Sequence, residues 1–445
     1  MLSKKSYRVT AGWLPVVALM IMALDMGSAE AVPAFARQAA QPCTSCHYQH
    51  FPTLNSFGRM FKAQGYTMGG TQESIQGDGL DLPGTLNAAL LGRLALEKGE
   101  NQKRSIGYPA SLSLYFGGRM GENSGFLMEM PFEGAETEGG EEVEGEGGAA
   151  FAQMGNLKWN YVTDLSGYNV GLHAFSTSMA GPAYGYELLS TGAMGMNVPV
   201  AGANAMGSIG MHMEHGSTLM GVIMDSMSGM DPSMMRMTMA GPATGTGATV
   251  QTGDFYVYYA AYAGAQAMDI IGEPKLANYL RLAWTPMLDG WNVGLGTQIY
   301  RGSFQIGVDG DEYDANATTF DLQVQGDLAG MPIGFYGSYA VAPKSTDTST
   351  NWYNQATGDD NKSYGMLFEA GVADKLSVSL GYVKAMYNYD MMMNSMWMAQ
   401  KVNATSTSLG ANYLLAPNKR LGFKYVTFGG DIETKAAELD LVIGF

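Results

Sequence analysis

Chemistry concentrates in Cys43-Thr44-Ser45-Cys46-His47, which reads C-x-x-C-H. Two thiols three residues apart can reach the two vinyl groups of a single porphyrin. The adjacent imidazole then falls beneath the iron, for which neutral imidazole is a good ligand. The alternatives are a lone disulfide redox pair or half of a zinc site, but the chain has only two cysteines and no second pair to complete a zinc site. One covalent heme c is therefore expected, with Cys43 and Cys46 as its attachment points and His47 as axial ligand.

A second iron ligand has fewer sources. The histidines are His47, His50, His173, His212 and His215. On a helix His50 would share a face with His47, which makes it a heme-edge group bonding a propionate, or else a solvated polar residue. Met60 and Met68 follow at distances that could wrap over the porphyrin, and both stand as distal candidates. Thioether ligation would raise the reduction potential.

These residues need export and a scaffold. Lys4, Lys5 and Arg8 precede an apolar run from Trp13 to Leu24 and then Ala29-Glu30-Ala31, the layout of a cleaved secretory signal peptide. The run is too short to cross a hydrocarbon core of about 30 Å. The expected division is a signal peptide over 1–31, a heme-binding segment over 32–84 and a barrel over 85–445. Losing 1–31 removes three basic and two acidic residues and takes the net charge from -16 to -17. So acidic a surface argues against nucleic acid and for metal cations or cationic proteins as partners.

Charged residues make up 15% of the chain, below the roughly 25% usual in soluble domains. Aromatic residues are 11% and glycines number 60, and no stretch after the signal has the length of a membrane-spanning helix. A transmembrane β-barrel accounts for this combination, because alternate residues face lipid while the rest are small or polar. The period-two pattern is explicit. Trp291, Val293, Leu295 and Ile299 alternate with Asn292, Gly294, Gly296 and Gln298; Val378 and Leu380 alternate with Ser377 and Ser379; Phe423 and Tyr425 flank Lys424, which should face a wet lumen. The last strand alternates Ala437, Leu439, Leu441, Ile443 and Phe445 with Glu438, Asp440, Val442 and Gly444.

Fifteen strands are expected, near 85–97, 109–118, 125–132, 149–163, 168–178, 253–264, 275–286, 290–301, 316–327, 331–342, 363–371, 375–386, 403–415, 419–429 and 436–445. With both ends on the periplasmic side, an odd number of strands lies between 178 and 253, which gives sixteen in total or eighteen. Short connections at 164–167, 288–290 and 417–418 fit periplasmic turns. Long ones near 133–148, 302–315, 343–362 and 387–402 fit extracellular loops. A sixteen-stranded barrel is wide enough to hold the heme segment as a plug, the alternative being a periplasmic domain outside it.

Around the heme motif, Ala31-Val32-Pro33-Ala34-Phe35-Ala36-Arg37-Gln38 precedes it, and Gln49-His50-Phe51-Pro52, Leu54-Asn55, Phe57-Gly58-Arg59, Phe61-Lys62 and Gly65-Tyr66 follow it. This stretch, about residues 31 to 70, resembles the fused outer-membrane monoheme cytochrome-porins of iron-oxidizing bacteria. The resemblance implies an iron(II) oxidase of the Gram-negative outer membrane that takes electrons from extracellular Fe(II) and passes them to a periplasmic c-type cytochrome or similar soluble carrier. A conduit for another donor or acceptor is the alternative, as is a diffusion porin with a structural heme segment.

Two further clusters could bind cations. Glu133, Glu136, Glu138, Glu141, Glu142, Glu144 and Glu146 form one acidic loop, and Asp309, Asp311, Glu312 and Asp314 another. They would attract Fe²⁺ or simply solvate the surface. Thirteen methionines between Met194 and Met239 surround His212 and His215, a ligand set for Cu(I) or an adaptable apolar filler. Met235, Met237 and Met239 alternate as a lipid-facing strand would.

Overall fold

The computed structural model describes residues 33–51, 53–69, 74–77, 80–84, 87–100, 104–132, 155–178, 181–189, 235–236, 242–266, 275–306, 310–393 and 396–445. The expected signal segment, the glutamate-rich loop and nearly all of the methionine-rich stretch lie outside the described residues. Among those described, no helix is long and apolar enough to cross a membrane.

Sixteen long antiparallel strands close into one barrel. The first five are β1 (Ala88–Gly99), β2 (Ser105–Arg119), β3 (Ser124–Phe132), β4 (Asn156–Leu165) and β5 (Tyr168–Thr177). There follow β6 (Ala243–Thr252), β7 (Phe255–Ala263), β8 (Ala277–Trp284), β9 (Trp291–Arg301), β10 (Ala317–Leu328) and β11 (Met331–Ala342). The last five are β12 (Asn361–Ala373), β13 (Leu376–Met393), β14 (Met396–Ala416), β15 (Lys419–Gly430) and β16 (Thr434–Gly444). Closure joins β16 to β1, with Leu441 opposite Leu94.

Strand β7 shows why the sequence curls this way. Tyr256, Tyr258, Ala260 and Tyr262 are buried toward the lumen, while Phe255, Val257 and Tyr259 are exposed outside. The outer wall carries large apolar residues on strand after strand, among them Leu295, Phe320, Leu380 and Leu409, as a lipid-facing surface requires. Lys424 is buried between the exposed Phe423 and Tyr425, as its parity predicts. Several inward charges are paired. Arg281 donates to both oxygens of Asp321 at 2.6 and 2.9 Å, Arg93 meets Glu438, and Arg420 meets Asp440 at 2.8 Å.

Two expectations need correction. The methionine alternation at Met235, Met237 and Met239 is not the strand that pairs with β5, and Met237 and Met239 lie outside the described residues. Among the described residues, Met235–Arg236 pairs with Met391 and Asp390 of β13, and β5 pairs directly with β6 over nine residues. The unassigned strand is β6 itself, whose sequence ATGTGATVQT lacks the bulky alternation that marks the others. That settles sixteen over eighteen. Residues 387–402 are not a loop either: β13 and β14 run on as a hairpin up to Met393 and Met396. The polar residues there are consistent with strand because Asn388 and Asp390 are buried. Asn388 bonds Asn361, and Asp390 accepts from the Thr357 amide at 3.2 Å.

Short turns gather at one end. Ser166-Gly167 and Ala329-Gly330 both hold two consecutive residues at positive φ, the two-residue geometry that matches strand twist. At the other end the connections after β9 and β11 fold onto each other. Ser303–Gln305 pairs with Glu312–Asp314, which continues in parallel onto Thr350–Asn351.

Before the barrel, α1 (Pro33–Ala39), α2 (Cys43–Cys46) and α3 (Ser56–Ala63) form a plug. It is tied to the inner wall near the short turns. The Tyr48 hydroxyl lies 2.6 and 2.8 Å from the carbonyls of Gly326 and Ile333, and Gln49 donates to Pro332. Buried Arg59 donates to Gln325 at 3.3 Å and meets Asn292; burial pulls its guanidinium down to about 10, so it stays charged at neutral pH. Gln38 receives the Arg119 amide at 2.8 Å. The plug therefore sits inside the barrel rather than beneath it.

Candidate functional site

Helix α2 is a single turn, with Pro42 preceding it and the His47 amide donating to the Cys43 carbonyl at 2.8 Å. Cys43 and Cys46 thus share one face, and neither is in a disulfide. Burial pushes the Cys46 thiol up, so its resting form is the thiol. The Phe51 ring meets the His47 ring edge-on at 5.4 Å.

Helix α3 holds this turn in place. Asn55 caps it by accepting from the Gly58 amide at 3.0 Å and donates to the Ser45 carbonyl at 2.9 Å. A side chain at Gly58 would bring Cβ within 2.2 Å of the Cys46 carbonyl oxygen, so only glycine lets α3 lie against α2. The Leu-Asn-x-Phe-Gly-x-x-Phe-Lys pattern thus packs α3 against the C-x-x-C-H turn.

Cys43, Cys46 and His47 line one cavity of about 1350 Å³, counting the space open at its mouth. Its plug side includes Ala34, Phe35, Ala39, Phe51, Leu54 and Phe61; its barrel side includes Leu91, Tyr115, Leu127 and Lys158, with Tyr184, Gly185, Glu187, Leu188 and Leu189 from the chain after β5. Two thiols and an imidazole beside a largely apolar chamber match the donor set and the apolar faces of a c-type heme, so the residues present fit the group.

The other sequence candidates stand elsewhere. His50 is buried with both ring nitrogens engaged: Nδ1 lies 2.8 Å from the Phe51 carbonyl, and Nε2 faces Glu369 and, at 3.2 Å, Asn412. It anchors the plug to β12 and β14 and is not among the residues lining the cavity. Nor are Met60, exposed on α3, and Met68, whose carbonyl accepts from Gln38. His173 is a satisfied lumen residue between Asn160 and Thr249. In the second acidic cluster Glu312 pairs with Lys275 and Asp314 accepts from Ser349, while Asp309 lies outside the described residues. His212 and His215 lie outside them too. Among the described residues no group of three or more His, Cys, Asp or Glu side chains converges to hold a metal ion.

Sequence reasoning missed the barrel side of the chamber. Lys62 donates to Glu187 at 2.6 Å, and buried Lys158 stands beside the rings of Tyr66, Tyr184 and Tyr186. Parity could have found Lys158, since Trp159 and Tyr161 on either side of Asn160 are exposed. Nothing in the sequence folds residues 181–189 inward. Burial alone would raise Glu187, but the ammonium groups of Lys62 and Lys158 outweigh it and hold the carboxyl below its ordinary value. A depressed folded value means that the stabilisation is complete above the ordinary carboxylate range and is lost as pH falls through the lower value. Limited proteolysis should therefore find 181–189 protected through the ordinary carboxylate range and cut only in stronger acid. Cleavage setting in near pH 5 would contradict the pairing.

A file of rings leads from this wall toward the long-loop end. Tyr186 stacks on Tyr258 at 4.2 Å, and Tyr258, Tyr279, Tyr300 and Tyr353 follow at 5.8, 4.9 and 4.8 Å. The Tyr353 hydroxyl lies 2.9 Å from that of Tyr262, which neighbours Phe304; Phe304 in turn meets Trp352 and Tyr313.

No protein-family model and no curated protein matches the chain. Among solved structures it is similar to the outer-membrane expressed OmpT of Vibrio cholerae, at 12% identity and TM-score 0.42 over 84% of this chain and 100% of that one. It is also similar to the outer membrane channel DcaP of Acinetobacter baumannii, at 10% identity and TM-score 0.45 over 84% of this chain and 99% of that one. A porin refined at 1.8 Å resolution aligns at 11% identity and TM-score 0.41 over 81% and 100% of the two chains.

Proposed function

We propose that the protein is an outer-membrane monoheme cytochrome-porin that oxidises extracellular Fe(II) and passes the electrons to a soluble periplasmic carrier. The observation that carries this reading is the convergence of Cys43, Cys46 and His47 on one apolar chamber inside a closed barrel with a lipid-facing wall. The predicted export signal and the resemblance of residues 31 to 70 to the cytochrome-porins support the outer membrane and the substrate.

Heme c bound there supplies a one-electron iron couple. The chain does the rest. Each thiol can add across one vinyl group, forming one carbon–sulfur bond with no net change in electrons. His47 would offer its imidazole to the iron, and the apolar lining would keep water from the porphyrin faces. Gln41, Pro42 and Thr44 around the motif are exposed, which leaves the plug approachable by a carrier. On the other side the file from Tyr186 to Trp352 offers closely spaced aromatic contacts between the chamber and the folded long loops, with no ring required to hold a stable radical.

The diffusion-porin reading has less behind it, because Ala63 of the plug shares one buried core with Tyr186, Tyr258 and Tyr279 of the lumen. Anaerobic addition of Fe²⁺ to the oxidised protein should convert the ferric to the ferrous spectrum within seconds. An inert spectrum removes the iron reading. A strongly positive midpoint potential suits ferrous iron in acid, whereas a negative one suits electron export.

A further inference from the structure

We propose that Lys158 on the barrel wall receives a carboxylate of the porphyrin and so fixes the orientation of the cofactor in the chamber. The inference rests on the reading that the chamber holds heme. Lys158 is 2% exposed, points into the lumen from β4 and lines the chamber that holds Cys43, Cys46 and His47. Among the described residues no hydrogen bond or ion pair reaches its Nζ. Its near neighbours are the faces of Tyr66 and Tyr184, each 5.0 Å from Nζ to the ring centroid, and Tyr186 at 5.6 Å.

Ring faces favour an ammonium, but they compensate only part of the cost of taking it out of water. The charged groups around it are already committed. Lys62 and Glu187 hold each other, while Glu129 accepts from the hydroxyls of Tyr115 and Tyr184 and from Asn156. One buried lysine amine is left facing the chamber without a contact anion. Gly185 leaves room for it, since a Cβ there would fall 1.6 Å from Nζ.

A porphyrin with apolar faces and carboxylate arms completes this arrangement. The faces meet the aliphatic and aromatic lining, and a carboxylate meets Lys158 in a charge-assisted hydrogen bond. His50, the sequence's own candidate for that role, is turned to Glu369 instead.

The test uses the full-length holoprotein in detergent, with Lys158→Arg, Lys158→Met and Lys158→Gln compared with the unmodified chain. Removing the cation leaves the carboxylate charge unopposed and favours the ferric state. The midpoint potential should therefore fall in Lys158→Met and Lys158→Gln and stay near the unmodified value in Lys158→Arg. Absorption and electron paramagnetic resonance should show one spin state throughout. Equal potentials in all four proteins would overturn the proposal, and so would a spin-state change in every variant, which would make the lysine amine an iron ligand. If the unmodified chain carries no thioether-bound chromophore, the heme reading itself falls and this inference with it. Normal heat-modifiable mobility of each variant on denaturing gels establishes that the barrel has folded.

Discussion

Cells producing the chain with Cys43→Ala and Cys46→Ala together are expected to yield a folded barrel that carries no covalently bound chromophore. Both thiols lie in α2, outside the sixteen strands, and neither takes part in the barrel's hydrogen-bonded ladder. The loss should be complete on a heme-stained denaturing gel, because covalent attachment has no other cysteine to use. His47→Ala should behave differently. Its thioethers can still form, so the stain persists, while the spectrum changes to that of an iron lacking its imidazole ligand. Retained staining in the double cysteine variant would contradict the site.

The second large effect concerns the barrel wall. Arg281 on β8 and Asp321 on β10 have fully buried side chains and bond through two parallel contacts across the intervening β9. Arg281→Met takes the guanidinium away from a buried carboxylate, and Asp321→Leu takes the carboxylate away from a buried guanidinium. Each should cost about 3–5 kcal/mol, whereas the double substitution to Met and Leu should recover most of the loss, since replacing both members of a buried pair by apolar groups is often neutral. Urea unfolding of the refolded barrel, followed by loss of heat-modifiable mobility, measures all three. Additive losses in the double variant would show that the two side chains do not act as a pair.

The sequence made the barrel legible because strand parity is a strong signal when one face must be apolar. β7, β9 and β15 all follow their alternation, and a lysine such as Lys424 between aromatics can point only inward. It failed where the pattern was thin. β6 is built from Ala, Thr and Gly, small on both faces, and β13 continues through Asn388 and Asp390, which resemble a loop until their buried partners are known. The C-x-x-C-H turn could be picked out because its five residues are adjacent in the chain. The rest of the chamber could not. Lys62 meets Glu187 across 125 positions, and His50 meets Glu369 across more than 300. Helical periodicity put His50 on the same face as His47, but α2 ends at Cys46 and His47 begins an extended turn, so the helical spacing does not apply. Such pairings depend on where the closed barrel brings distant strands, which no window of sequence contains.

The most direct measurement is the mass of the peptide containing Cys43 and Cys46, cut from protein recovered in the outer-membrane fraction. The account predicts one peptide heavier by a single porphyrin, in membranes and not in the soluble periplasm. An unmodified peptide, or a chain found only as a water-soluble species, would contradict it.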